Sequence, residues 1–136
     1  MTKIIFACIR NTGPSQMAAA FFNAMADPLR AIAISAGTQP GERVHPEVVA
    51  TMREAGINLS GATPSRLTFE LAEGATLLVT MGCGDEFPVI PVALREDWPV
   101  SDTRGQPVAC IREIRDEIKR RVATLVSSEG WLLNGV

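Results

Sequence analysis

The 136-residue chain has no apolar run approaching the ~18 residues that a bilayer-spanning helix needs, which excludes a membrane span. It also has no surplus of positive charge. Thirteen Lys plus Arg stand against fifteen Asp plus Glu, a net charge of −2, so the basic surface of a nucleic-acid-binding protein is missing. Cysteine is scarce: Cys8, Cys83 and Cys110 are odd in number and lack metal-ligand spacing, which excludes a zinc cluster and a disulfide framework. The segment Met1 to Cys8 is too short an apolar run for a secretory signal and has no small-residue cleavage site. Free thiols in such a chain point to a reducing cytoplasm. No internal repeat or low-complexity stretch is present. What remains is a chain 46% hydrophobic and 21% charged, the length of one domain, able to bury roughly two-thirds of its unfolded surface. The expected organisation is one domain over 1–129 and a short tail over 130–136.

Apolar patterning alternates between short runs and helical spacing. Strands are expected at Lys3 to Cys8, Ala31 to Ala36, Thr76 to Thr80 and Leu94 to Trp98. A helix from Ser15 to Met25 carries Met17, Phe21 and Ala24 on one stripe and stops at Asp27-Pro28. His45, the only histidine, precedes Pro46 at the start of a second helix that includes Val49, Met52 and Arg53 and ends at Gly56. Thr68 caps a short helix over Phe69 to Glu73. The last helix, Val108 to Val126, has Ile111, Ile114, Ile118, Val122 and Leu125 as its buried stripe, with Glu117 and Arg121 paired on the other face. Strand–helix alternation with long crossovers makes the strands parallel. The fold class is α/β: a small doubly wound four-stranded parallel sheet with helices on both faces, of flavodoxin-like topology. The crevice of such a sheet lies at the carboxyl ends of its strands, and Cys8, Cys83 and Asp102 fall on three of those loops.

Cys8 ends a buried strand and precedes a loop, Ile9-Arg10-Asn11-Thr12-Gly13-Pro14, that feeds directly into a helix. Successive amides in such a loop form a concave anion nest, and the helix N-terminus adds a positive field. A thiol held there ionises more readily because the thiolate is the anion being stabilised. Ser15 can donate its hydroxyl to the same sulfur, and Asn11 suits the left-handed conformation that a nest demands.

The stretch Cys8-Ile9-Arg10-Asn11-Thr12-Gly13-Pro14-Ser15-Gln16-Met17-Ala18 resembles the oxyanion loop of the low-molecular-weight protein tyrosine phosphatase superfamily, and its Ser-Gln-Met-Ala continuation resembles the arsenate reductase branch. Further stretches in the same order are similar to that branch: Ser35 to Thr38, Arg43 to Pro46, Gly56 to Gly61, Val79 to Asp85 and Ile114 to Ile118. The resemblance implies that the Cys8 thiolate attacks an oxyanion (arsenate, with phosphate or sulfate as lookalikes) held by Ile9, Arg10, Asn11, Thr12, Gly13 and Ser15. It implies Asp102 as general acid and Cys83 as the second redox thiol. It further implies no bound cofactor or metal, and an external thiol reductant: glutathione, mycothiol or thioredoxin. Neither nucleic acid nor membrane is an expected partner.

Three departures from the family pattern stand out. Pro14 occupies the place of the loop arginine, which removes a guanidinium fork and one amide N–H. Loss of a single preorganised oxyanion donor costs a factor of about 10² to 10³ in rate. Arg10 is a candidate to supply the missing charge, its other reading being a solvated residue that steers anions. Thr103 follows Asp102 where the family has proline, and Phe87 stands where some members carry another cysteine. Cys110 is read as packing, and Glu96 with Asp97 as a solvated loop edge. Alternatives to the reductase are a catalytically degenerate oxyanion-sensing or partner-binding protein, a thiol-redox protein whose Cys8–Cys83 disulfide is the output, and a low-molecular-weight phosphatase. The last is disfavoured because the chain has no Tyr and no Trp in the loops expected around the site.

Overall fold

The computed structural model describes residues 2–82, 92 and 94–133. Four strands, β1 (Thr2–Cys8), β2 (Ala31–Gly37), β3 (Leu77–Met81) and β4 (Leu94–Trp98), and four helices, α1 (Pro14–Met25), α2 (Pro46–Glu54), α3 (Phe69–Ala72) and α4 (Val108–Ser128), follow one another as β1-α1-β2-α2-α3-β3-β4-α4 among the described residues. The sheet order is β2-β1-β3-β4 and every pair is parallel. Register aligns Cys8 with Gly37, Ala7 with Thr80 and Met81 with Trp98, so the strands finish nearly level. The winding reverses between β1 and β3, the two central strands. Their carboxyl ends therefore flank the crevice that this topology creates.

Both faces of the sheet are covered. Every residue from Ile4 to Cys8 and from Leu77 to Met81 is buried, which requires a layer above and below. On one side α1 and α4 pack together, and the Phe22 ring lies 6.0 Å from Phe6. Trp98 closes the same cluster at 5.5 Å from Phe6, beneath the end of β1. Burial of each such side chain stabilises the fold by about 1.5–3 kcal/mol, so the strand ends that carry the site rest on a rigid base.

Local chemistry explains most boundaries. Pro14 is the first residue of α1, one position earlier than the sequence suggested, because its fixed φ and missing N–H suit a first turn. The buried face of α1 is turned toward Ala18 and Phe22, and Ala24, expected on the stripe, is exposed. In α2 the buried residues are Val48, Thr51 and Met52, while Val49 is half-buried and Arg53 exposed. Gly56 takes φ +83 and stops α2, its N–H and that of Ile57 bonding to the carbonyls of Arg53 and Met52. Thr68 caps α3 by accepting the Leu71 N–H at 3.0 Å. Along α4, Ile111, Ile118, Val122 and Leu125 are buried and Ile114 is half-buried.

Glu96 and Asp97 lie within the edge strand β4, not in a loop, because the strand is anchored by its one buried residue, Trp98. Asp97 is engaged as well: its Oδ1 accepts the Thr80 hydroxyl at 2.6 Å. Trp131 docks, its ring 5.8 Å from Phe22 and its carbonyl accepting the Asp27 N–H at 2.8 Å. No helix among the described residues is long and apolar enough to cross a membrane.

Candidate active site

The loop after β1 is held from outside by its carbonyls. Ile9 O accepts the Gln39 N–H at 2.8 Å, Arg10 O the Gly41 N–H at 2.9 Å, and Thr12 O the His45 N–H at 3.2 Å. Gly13 O accepts the Met17 N–H of α1 at 3.1 Å, and Asn11 O the Gln16 Nε2–H at 3.2 Å. With the carbonyls committed outward, the amides of Arg10, Thr12, Gly13 and Ser15 have no acceptor among the described residues. That is the arrangement of an anion nest.

Asn11 organises the loop. It takes φ 57, the left-handed region anticipated from its residue type, and is fully buried. Its N–H donates to Cys8 Sγ at 3.1 Å, and its Nδ2 donates to Ser15 Oγ at 2.7 Å. Its Oδ1 accepts from Ser65 N–H at 2.9 Å and from Gln16 Nε2 at 3.1 Å. Because Ser15 Oγ is already an acceptor for Asn11, its single proton is free to point at Cys8 Sγ, 2.9 Å away. Two donors therefore converge on the sulfur.

The close fit depends on glycine. A Cβ on Gly37 would fall 2.6 Å from Ile9 O, and one on Gly13 would fall 2.2 Å from Thr103 Oγ1. Gly82, at φ +71, would place a Cβ 2.5 Å from Val100 O, so the loops after β3 and β4 meet at backbone contact. The result is a cleft of about 70 Å³, near the volume of two liquid waters at ~30 Å³ each. Cys8, Arg10, Thr12, Gly13, Gly82 and Asp102 are among the residues that line it.

Of the residues singled out from sequence, Cys8, Ile9, Arg10, Thr12, Gly13 and Asp102 share this lining, and Ser15 and Asn11 support it from behind. Asp102 is exposed, and its Oδ1 accepts the Arg104 N–H at 3.1 Å. Cys83 and Phe87 lie outside the described residues; the chain enters that segment from Gly82, on the wall of the cleft. Cys110 is half-buried near the start of α4 and is not part of the lining. Trp98 and Trp131 serve packing. Among the described residues no group of His, Cys, Asp and Glu could hold a metal ion.

Sequence reasoning missed Gln16 and Thr103. Gln16 is buried in the first turn of α1 and bridges Asn11 to Thr63 O at 3.2 Å. A polar residue immediately after Ser15, at a position packed under the loop, was the available signal. Thr103 is buried against Gly13, and its hydroxyl has no partner among the described residues.

A thiol with two donors on its sulfur thus sits at the switch point of a 2-1-3-4 parallel sheet, over amides that have no acceptor among the described residues. The profile of the family described as low molecular weight phosphotyrosine protein phosphatase matches residues 3–129, and the chain belongs to that family. It is 37% identical over 131 residues to a putative arsenate reductase of Halobacterium salinarum, covering 91% of this chain and 90% of that relative. It is 32% identical over 130 residues to the glutaredoxin arsenate reductase of Synechocystis sp., covering 93% and 98%. The solved thioredoxin-dependent arsenate reductase of Corynebacterium glutamicum superposes with a TM-score of 0.79 at 34% identity, over 94% of this chain and 61% of that one.

Proposed function

We propose that the protein is a thiol-dependent arsenate reductase in which Cys8 is the nucleophile. The observation that carries the reading is the pair of donors on Cys8 Sγ, Asn11 N–H and Ser15 Oγ–H, at the floor of a cleft ringed by unpaired amides. Arsenate and the Cys8 thiol condense with loss of one water, and arsenic stays pentavalent in the S–As adduct. Asp102, on the wall of the cleft, protonates the oxygen that leaves as that water. A second thiol then attacks Cys8 Sγ. An S–S bond forms, the S–As electron pair goes to arsenic, and trivalent arsenite departs. A further thiol then releases Cys8 from a mixed disulfide, whereas a disulfide to Cys83 takes two external thiol groups to return both cysteines to thiols. The second thiol is Cys83 or an external one of the kind named for the relatives, glutaredoxin or thioredoxin. A reducing cytoplasm is the compartment that keeps these thiols available.

The test is arsenate-dependent thiol oxidation supplied in turn by glutathione, glutaredoxin and thioredoxin. Cys8→Ser is expected to lower turnover by about 10³ or more. Full turnover in that variant would overturn the reading. A second reading, an oxyanion-binding protein with degenerate chemistry, is favoured by one observation. Pro14 starts α1 where the family's guanidinium belongs and subtracts an amide from the nest. Pro14→Arg separates the two. A gain of about 10² in turnover identifies an otherwise competent site, whereas binding of phosphate without turnover in either form identifies a sensor.

A further inference from the structure

Beside the cleft lies a second hollow of about 260 Å³, lined by Arg10, Thr12, Glu42, Arg43, His45 and Arg104, with Arg10 and Thr12 forming a wall common to both. We propose that this hollow is a subsite for a small thiol bearing carboxylates, which it holds with the sulfur directed at Cys8. The inference rests on the reductase reading above and names the chemistry of its reductant.

Three observations lead to it. The first is charge. Among the described residues, Arg10, Arg43 and Arg104 have no carboxylate within ion-pair distance; Arg53 and Arg66 have none either, but they do not line this hollow. In a chain of net charge −2, three guanidiniums around one hollow, with Glu42 as the one carboxylate among its described lining residues, make a local field for an anion. Guanidinium is also the group whose fork matches a carboxylate.

The second observation is size. The inner cleft, about 70 Å³, takes a bare tetrahedral oxyanion, so an inorganic substrate has no use for the larger outer space. A hollow of this scale, approaching the lower end of small-ligand sites, suits a molecule of a few residues. The third is stoichiometry. Reducing arsenic by two electrons requires a thiol besides Cys8, and that sulfur must approach Cys8 Sγ from a neighbouring space. The wall made by Arg10 and Thr12 is where the two spaces adjoin. A protein thiol would dock on the rim instead of filling a concave hollow.

The probe is S-methylglutathione, which carries the carboxylates but has no reactive thiol, titrated into the whole protein by calorimetry. Arg43→Glu with Arg104→Glu is expected to weaken it roughly five- to tenfold, and Glu42→Gln to tighten it roughly twofold. Inorganic phosphate, which occupies the inner cleft, is expected to keep its affinity within about twofold in the same variants. The diethyl ester of the probe should bind about as weakly to wild type as the diacid does to the double variant.

Equal affinity for the ester and the diacid would overturn the proposal, as would an unchanged titration in the double variant or an equal loss for phosphate. A double variant that loses turnover only with thioredoxin or glutaredoxin, its S-methylglutathione affinity intact, would make this a protein-docking rim and overturn it too. Because binding is read without turnover, a protein that shows the charge signature yet reduces no arsenate sinks the reductase reading and leaves the subsite standing.

Discussion

Two polar networks in this molecule are built on opposite terms. The one around Asn11 is buried: Cys8, Asn11, Ser15 and Gln16 bond to one another within a single turn of loop and helix, and Ser65 N–H and Thr63 O close the network from across the fold. The other joins α2 to α4 on the surface. There Glu54 takes a two-pronged contact from Arg112 at 2.9 and 2.8 Å and a third bond from Arg115 at 2.9 Å, while Glu117 pairs with Arg120 and Arg121. Water can replace any lost partner in the second network and none in the first. Dependence on each bond is therefore set by burial more than by charge.

The largest expected effect comes from Asn11→Ala. It strands Ser65 N–H, takes the Nδ2 donor from the buried Ser15 oxygen, and forces φ 57 on a residue that disfavours it. A loss of about 3 kcal/mol in denaturant unfolding is the expected result, and a loss below about 1 kcal/mol would erase the contrast. Gly13→Ala ranks next. Its new methyl meets Thr103 Oγ1 at 2.2 Å, and overpacking of this kind costs about 1–3 kcal/mol. The double variant Gly13→Ala with Thr103→Ala removes the clashing oxygen and should recover most of that loss, which a double-mutant cycle measures.

The smallest effect belongs to the exposed network. Hydrogen bonding from Arg112, then from Arg115, together with their charges, lowers the Glu54 carboxyl from 4.5 to about 2. A depressed acid stabilises the fold above its ordinary value, and the contribution is lost as the pH falls through about 2. Glu54→Gln should flatten that part of the acid-unfolding curve and leave stability near neutral pH little changed, more so at high salt. A drop as large as that of Asn11→Ala would make the ion pairs equal partners with the buried loop.

The same contrast decides what could be read from sequence. Strands β1 and β3 were legible because both faces are buried and their runs are apolar, and β2, half-buried at Ile32 and Ile34, because Ala31 to Ala36 is itself a short, mostly apolar run. β4 is Leu-Arg-Glu-Asp-Trp with four of five residues exposed, so its role as an edge strand showed only in its place after β3, and its acidic pair was misread as a loop. The Cys8 to Ser15 span and the left-handed Asn11 were legible because a nest is local, its donors and acceptors only a few residues apart. Gln16 reaching Thr63 O, Thr103 covering Gly13, and Arg112 reaching Glu54 join residues 47 or more positions apart. Pairings of that kind are set by packing, and no period or spacing announces them. Ala24 failed for a related reason: helical spacing names a stripe, but the partner helix and sheet decide which edge of it is covered.

Gly13 and Gly82 on the cleft wall, and Gly37 packed behind its loop, bear on how this scaffold can change. Gly13, Gly37 and Gly82 set the width of the aperture by main chain against neighbouring atoms, with no side chain of their own acting as a spacer. The width of the cleft over Cys8 is thereby uncoupled from the side chains that project around it. On the proposed reading, Arg43, Arg104 and Glu42 can be exchanged to admit a different co-reactant while the gauge of the opening stays fixed, so selectivity for the second molecule can drift without re-engineering the first.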